Sequence, residues 1–196
     1  MNSRTARSLY FLTLLALLLP AVAEAHTGAG VVGGFKSGFL HPLGGLDHVV
    51  AMVAVGLWGA QLGAPAIWLL PVAFPLVMAV GGALGVRGIP VPAVETGIAI
   101  SGIVLGLMVT FAVRAPLAVA AVIVSVFAVF HGYAHGAELP TAAAPLAYSA
   151  GFVVATGLLH ACGIAIGALI QWKAGDRIVR TCGVAIALTG LWFLLG

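Results

Sequence analysis

Hydrophobic residues fall in long runs along the chain, and short clusters of Pro, Gly and charged residues separate the runs. The runs are roughly 17 to 25 residues long, the length that an α-helix needs to cross a hydrocarbon core of about 30 Å. Transmembrane β-strands would instead alternate polar and apolar side chains. The pattern therefore predicts an all-α membrane protein, a bundle of six transmembrane helices near residues 38–61, 65–85, 93–113, 116–136, 142–171 and 177–195.

The N-terminal segment has the pattern of a secretory signal peptide. Two arginines precede a short apolar stretch at residues 9–19, and Ala23 and Ala25 provide the small residues of a cleavage site. We expect cleavage after Ala25, which divides the chain into a signal peptide, 1–25, and a single six-helix transmembrane domain, 26–196. The alternative is that this segment stays attached as a seventh helix.

Composition supports the membrane assignment. Hydrophobic residues make up 62% of the chain and charged residues only 7%, whereas soluble domains have about 25% charged residues. This composition excludes a soluble globule, and it also excludes a disordered chain, which needs low hydrophobicity and high charge. The net charge of +3 comes from residues scattered between the apolar runs, so we expect a lipid bilayer and no nucleic acid as partner.

The distribution of basic residues predicts the orientation in the membrane. Cleavage would leave residue 26 outside the cytoplasm, and six spans would return the C-terminus to the same side. The predicted inner loops then carry four basic residues and the outer segments two, as the positive-inside rule requires. We therefore expect the inner (cytoplasmic) membrane, with both mature termini periplasmic. The inner residues are Arg114, Lys173, Arg177 and Arg180, and the outer ones are Lys36 and Arg87.

Two motifs place histidines and acids in or beside apolar spans, where ionisable residues are costly and usually functional. The first motif, HPLGGLDH at residues 41–48, puts His41 and His48 two turns apart, on one face if the segment is a continuous helix. Asp47 is one residue off that face. Each histidine alone would more readily be a hydrogen-bonded core residue, but the combination with a second motif favours a ligand site.

The second motif is HGYAHGAE at residues 131–138. His131, His135 and Glu138 have i, i+4, i+7 spacing, which forms one stripe on a helix. The predicted topology brings both motifs to the outer half of the membrane, together with mature His26 and Glu95. His26 would offer an α-amine and an imidazole, or would simply be what cleavage leaves behind.

Imidazole and carboxylate ligands suit first-row divalent metals such as Ni, Co and Zn. The sequence therefore predicts a metal site at the outer face. For Glu95, a salt bridge with Arg87 is an equally good explanation. The candidate ligands are His26, His41, Asp47, His48, Glu95, His131, His135 and Glu138.

Three further residues have no role in this site. His160 lies deep in the fifth predicted span, where it is either packing through a hydrogen bond or a second station on an ion path. Cys162 and Cys182 each lie inside an apolar run and are expected to be small core residues rather than a disulfide.

The two motifs, in this order and after an N-terminal signal, resemble the HupE/UreJ family of small bacterial membrane proteins. The acid that opens the third span in VPAVETGIAIS is also typical of that family. The resemblance implies a nickel or cobalt permease, with metal ligands at His41, Asp47, His48, Glu95, His131, His135 and Glu138. It also implies cytoplasmic nickel-binding maturation proteins of hydrogenase or urease as downstream partners.

The expected function is therefore uptake of a divalent metal, Ni²⁺ or Co²⁺, as transported substrate and not as a catalytic cofactor. The chain has no phosphate-binding G-x-x-x-x-G-K-[ST] motif, so the driving force would be the membrane potential, an ion gradient or cytoplasmic trapping. We do not expect an enzyme. Two alternatives stay open: a membrane-embedded metal-dependent hydrolase, and a metal-binding sensor or chaperone without transport.

Overall fold

The computed structural model describes residues 34–139 and 144–196. Within these ranges the chain forms α-helices, one short 3₁₀ helix at Ala168–Gln171 and no strand, which confirms the all-α prediction. The signal peptide, its cleavage site and His26 lie outside the described residues. The helices are α1 (Phe35–Gly44), α2 (Leu46–Leu62), α3 (Ala66–Val86), α4 (Val94–Thr110), α5 (Leu117–Ala137), α6 (Pro145–Gly167) and α7 (Lys173–Leu195).

The structure confirms the predicted membrane spans only in part. Four helices of the described chain, α3, α5, α6 and α7, are long and apolar enough to cross a membrane. The first predicted span is instead a bent pair, α1 and α2, with an angle of 87°. The third predicted span corresponds to α4, which has only 17 residues. This helix begins after Pro90 and Pro92 and ends before Ala112, a residue with positive φ. The described part of the chain thus has four candidate spans, or five if the bent pair is one span.

Three helix pairs make up most of the bundle: α3 with α5, α4 with α7, and α2 with α6. Within each pair, glycines of one helix lie directly against the backbone of the other. A Cβ atom on Gly132, for example, would overlap the Met78 carbonyl oxygen, and one on Gly163 would overlap that of Val53. Small residues at such positions are typical of close helix packing in membranes. Such contacts involve Gly81, Gly85, Gly132 and Gly136; Gly102, Gly106, Gly183 and Gly190; and Gly56 and Gly163.

The short α1 packs on the first turns of α6. A Cβ atom on Gly38 would overlap the carbonyl oxygen of Tyr148, and one on Gly151 would overlap that of Phe35. The 87° bend and this contact together hold α1 beside the ends of α5 and α6 rather than in line with α2. His41 on α1 is thereby placed next to residues of both helices.

Side chains hold the opposite end of the bundle together. The indole N–H of Trp58 donates to the carbonyl of Val113 at 3.0 Å, and Gln61 Nε2 donates to the carbonyl of Val109 at 3.0 Å. Arg180 on α7 donates to a third carbonyl of the same segment at 3.2 Å. Because the last carbonyls of a helix lack intrahelical partners, these bonds fix the end of α4 against α2 and α7.

Candidate metal-binding site

Four histidines from three helices meet at one end of the bundle. We call His41 of α1, His48 of α2, and His131 and His135 of α5 the histidine cluster. The ring of His135 lies 4.8 Å from that of His41 and 4.3 Å from that of His48, measured between centroids. The rings of His48 and His131 are 4.7 Å apart. The two sequence motifs therefore converge, as predicted.

The convergence does not come from one continuous helix through the first motif. That interpretation is wrong, because Gly45 has extended backbone angles (φ −103°, ψ 112°) and separates α1 from α2. His41 and His48 consequently approach His135 from two different helices. The N-cap residue of α2 is Gly45, which has no side chain to bond the first backbone N–H groups of the helix, and the N–H of His48 bonds Asp47 instead.

Asp47 orients its neighbour His48. Oδ1 of Asp47 is 2.9 Å from Nδ1 of His48 and accepts the backbone N–H of the same residue at 2.8 Å. An ionised carboxylate only accepts hydrogen bonds, so Nδ1 must carry the proton. The lone pair of His48 is then on Nε2, a buried atom without a hydrogen-bond partner among the described residues. This arrangement is typical of metal-binding histidines, whose second nitrogen bonds a carboxylate.

Ser101 of α4 fixes His131 in a similar way. The Ser101 hydroxyl donates its only proton to the carbonyl of Ile98 at 2.6 Å, and its oxygen is 2.8 Å from Nε2 of His131. The oxygen therefore accepts from Nε2–H, which leaves the lone pair of His131 on Nδ1. That atom is also buried and has no partner within the described ranges.

His135 has the most exceptional environment of the cluster. Its side chain is buried, and neither ring nitrogen has a hydrogen-bond partner in the part of the chain that the structure describes. Phe152 of α6 lies against the ring at a centroid distance of 4.5 Å. Leaving buried polar groups unpaired typically costs about 1–3 kcal/mol each, so native proteins seldom do so without a functional reason.

Three residues that could hold a metal ion meet at the exposed edge of the cluster. Ligand atoms of His41, His135 and Glu138 all lie within 4.8 Å of one another, and Nε2 of His41 is 3.4 Å from Oε2 of Glu138. Glu138 directly follows the last residue of α5, so its side chain stays at the exposed rim. His131, one turn deeper than His135, faces His48 instead.

A cavity of about 330 Å³ opens beside this group. Its wall includes Asp47 and Glu95 as well as the three residues of the group, so Glu95 lies at the same cavity as these residues. Glu95 is exposed. Within residues 34–139, no ion pair joins it to Arg87, the alternative partner.

Sequence reasoning missed three neighbours of the cluster. Ser101 is an ordinary small residue of an apolar helix, and only its bond to His131 reveals its role. Tyr148 and Phe152 of α6 lie with their ring centroids 5.8 and 6.4 Å from that of His41. Their one-turn spacing on α6 was the available signal, but aromatic residues at that spacing are usually core residues.

The remaining candidates lie apart from the site. His160 is buried on α6 and contacts Phe74 rather than any histidine of the cluster. Cys162 and Cys182 are free thiols and only partly buried.

The histidine cluster and the carboxylates beside it together offer imidazole nitrogens and carboxylate oxygens as donors. Such a set suits Ni²⁺, Co²⁺ and Zn²⁺, whereas Mg²⁺ and Ca²⁺ prefer oxygen ligands alone.

The chain is similar to known proteins over most of its length. Residues 14–193 match the family described as HupE / UreJ protein. The chain is 49% identical over 184 residues to Protein HupE of Rhizobium leguminosarum bv. viciae, which covers 94% of this chain and 96% of that protein. No solved structure matches the chain. Since the family match and the relative both extend over nearly the whole sequence, the chain belongs to the HupE/UreJ family.

Proposed function

We propose that the protein is a permease that takes up a divalent transition metal, Ni²⁺ or Co²⁺, across the bacterial inner membrane. The observation that carries this proposal is the environment of His135. Its two ring nitrogens are buried without described partners, and the rings of His41 and His48 lie within 4.8 Å of its ring, between centroids. A divalent cation would bind the one ring nitrogen of His135 that carries a lone pair, whereas a purely structural role leaves that lone pair buried and unused.

The proposed topology makes the histidine cluster the entrance. After cleavage of the signal peptide, α1 and α2 form one broken span and α4 a short one, which gives six spans with both termini periplasmic. The basic residues support this orientation, because Arg114, Lys173 and Arg180 lie at the end of the bundle opposite the cluster. Cytoplasmic nickel-binding maturation proteins of hydrogenase or urease would then receive the ion.

Uptake starts in the cavity beside the cluster. Glu95 and Glu138 attract the hydrated cation, and His41 and His135 replace part of its water shell. His48, oriented by Asp47, and His131, oriented by Ser101, offer the next ligands deeper in the bundle. A membrane potential of 100 mV would favour inward movement of a divalent cation by about 4.6 kcal/mol, twice the value for a single charge. Ligands must bind firmly enough to dehydrate the ion and still release it.

The test is metal flux into liposomes that contain the purified mature protein and a nickel-responsive dye. We expect Ni²⁺ uptake by the parent protein and its loss in His135→Ala and Asp47→Ala. Asp176→Ala is the matched control, because Asp176 is also partly buried and ion-paired, with Arg180, but lies at the opposite end of the bundle. This variant should transport like the parent.

Two results would contradict the permease. Tight metal binding by the parent protein without flux, in either membrane orientation, would favour a sensor or chaperone. One firmly held Zn²⁺ with a bound water, again without flux, would favour a metal-dependent hydrolase. Uptake that His135→Ala leaves intact would instead show that the ion takes a path outside the histidine cluster.

A further inference from the structure

His160 is a buried histidine that the proposed entrance site does not use. It lies on α6, its side chain is 2% exposed, and neither ring nitrogen has a hydrogen-bond partner within the described residues. A histidine that served only to hold helices together would be expected to bond a neighbouring helix. Burial of an imidazole with both nitrogens unpaired therefore needs another explanation.

The position of His160 is in the interior of the bundle, below the histidine cluster. Tyr148, at the start of α6, contacts His41, and His160 follows about three helical turns later, roughly 18 Å along the helix axis. The carbonyl of His160 packs against Gly56, which lies in the middle of α2. His160 is thus separated from the entrance but lies within the same helices that form it.

Thr156 lies one turn above His160 on the same face of α6. Its side chain is fully buried, and its hydroxyl has no partner among the described residues. Other threonines of this chain behave differently: Thr110, Thr181 and Thr189 each donate to the carbonyl four residues earlier, at 2.8–2.9 Å. The hydroxyl of Thr156 is therefore left without a described partner one turn from His160, a spacing at which it could add an oxygen ligand.

One aromatic ring contacts both His160 and a histidine of the entrance. The ring of Phe74 on α3 lies 5.7 Å from the His131 ring and 5.5 Å from the His160 ring, between centroids. His131 is the deepest histidine of the cluster, so its ring and that of His160 lie against the same phenylalanine. His131 and His160, which each have an unpaired ring nitrogen, thus lie against the same side chain.

We infer that His160 and Thr156 form a second, transient metal-binding station inside the membrane, which receives the divalent cation after the histidine cluster. The inference rests on the proposed permease function. One imidazole and one hydroxyl bind a borderline divalent cation weakly, with water completing its shell. Weak binding suits an intermediate station, because conduction through several sites requires that each one release the ion.

The experiment compares metal binding and metal flux in variants of His160. We expect His160→Gln to reduce Ni²⁺ flux into liposomes by about tenfold, the effect of one lost interaction of ordinary strength. Ni²⁺ affinity of the solubilised protein, which reports the tighter entrance site, should stay within about twofold, because His160 contacts Phe74 and no histidine of the cluster. Thr156→Val should reduce flux less. Cys162→Ala, a partly buried neighbour on α6, is the matched control and should transport like the parent.

A second variant separates a ligand from a structural residue. His160→Cys places a softer thiolate at the station, so we expect the ratio of Cd²⁺ to Ni²⁺ flux to rise. A structural role would change the flux of both metals in proportion. Parental Ni²⁺ flux in His160→Gln, or an unchanged metal ratio in His160→Cys, would overturn the inference and leave the permease intact. Absence of flux in the parent protein would overturn both.

Discussion

Asp47 and His48, adjacent in sequence, form a hydrogen-bonded pair in which Oδ1 of Asp47 lies 2.9 Å from Nδ1 of His48. Their position at the first turn of α2 explains how neighbours can bond: the break at Gly45 frees the carboxylate to fold back onto the ring and the backbone N–H of His48. The bond leaves Nε2 of His48 as the nitrogen with the lone pair. Under the proposed function, Asp47 therefore acts mainly by orienting His48 as a metal ligand.

Substitution of Asp47 should weaken metal binding in a graded manner. In Asp47→Ala, Nδ1 of His48 loses its acceptor, and we expect Ni²⁺ affinity to fall about 10–100-fold, as is typical when such a partner is removed. In Asp47→Asn, the amide oxygen can still accept from Nδ1, so the loss should be smaller. Isothermal titration of the purified protein measures both. Equal loss in the two variants would instead indicate that the carboxylate binds the metal directly.

Substitution of Ser101 should affect both stability and binding. Ser101→Ala leaves Nε2–H of His131 buried without an acceptor, which typically costs about 1–3 kcal/mol. The variant also lacks the oxygen that holds the proton of His131 on Nε2, so some rings would carry the proton on Nδ1 instead and could not bind the metal through that atom. Thermal unfolding in detergent and Ni²⁺ titration measure the two effects. Ser149→Ala, at an exposed position of α6, is the control. An unfolding temperature and a Ni²⁺ affinity of Ser101→Ala equal to those of the parent would show that the bond to His131 has no energetic importance.

A methyl group at Gly132 should disrupt the site through the backbone. The new Cβ atom would overlap the carbonyl oxygen of Met78, so α3 and α5 would have to separate beside His131. Overpacking typically costs about 1–3 kcal/mol, and we expect a lower unfolding temperature together with weaker Ni²⁺ binding. At Gly157, a Cβ atom meets nothing within 4 Å, and Gly157→Ala should be neutral or slightly stabilising. Equal unfolding temperatures of the two variants would contradict the close packing of α3 and α5 at Gly132.

Labelling from the two sides of the membrane tests the topology. Lys36 and Lys173 are both exposed and lie on α1 and α7. In a background with Cys162 and Cys182 replaced by alanine, a membrane-impermeant maleimide should label Lys36→Cys in intact spheroplasts. It should label Lys173→Cys only after lysis. The opposite pattern would place the histidine cluster at the cytoplasmic face and make the protein an exporter or an inward-facing sensor.

Hydropathy closely predicted the first and last residues of the unbroken helices α3 and α5. The span expected at 116–136 is α5, Leu117–Ala137, and the span expected at 65–85 is α3, Ala66–Val86. The length of an apolar run determines where such a helix begins and ends, because the backbone in lipid must satisfy its own hydrogen bonds. The break at Gly45 was not predictable in the same way, since glycine occurs throughout this chain and is tolerated inside its other helices.

The candidate site was predictable only in its most unusual residues. Histidines and acids stand out in an apolar sequence, and the structure brings His41, His48 and His135 together as expected. Ser101 and Thr156 carry no such signal. Their importance depends on which hydrogen bonds they make or lack after the helices have packed, and that information belongs to tertiary structure.

The three glycine-packed helix pairs have a consequence for movement. Within a pair, backbone rests on backbone, so the two helices cannot slide without collision and behave as one rigid body. The entrance residues come from all three bodies: His48 from α2–α6, His135 from α3–α5, and Glu95 from α4–α7. A shear of one body past the other two would therefore change the distances from its side chain to both of the others at once. Under the proposed function, such a movement would alter the geometry around a bound ion without bending a helix.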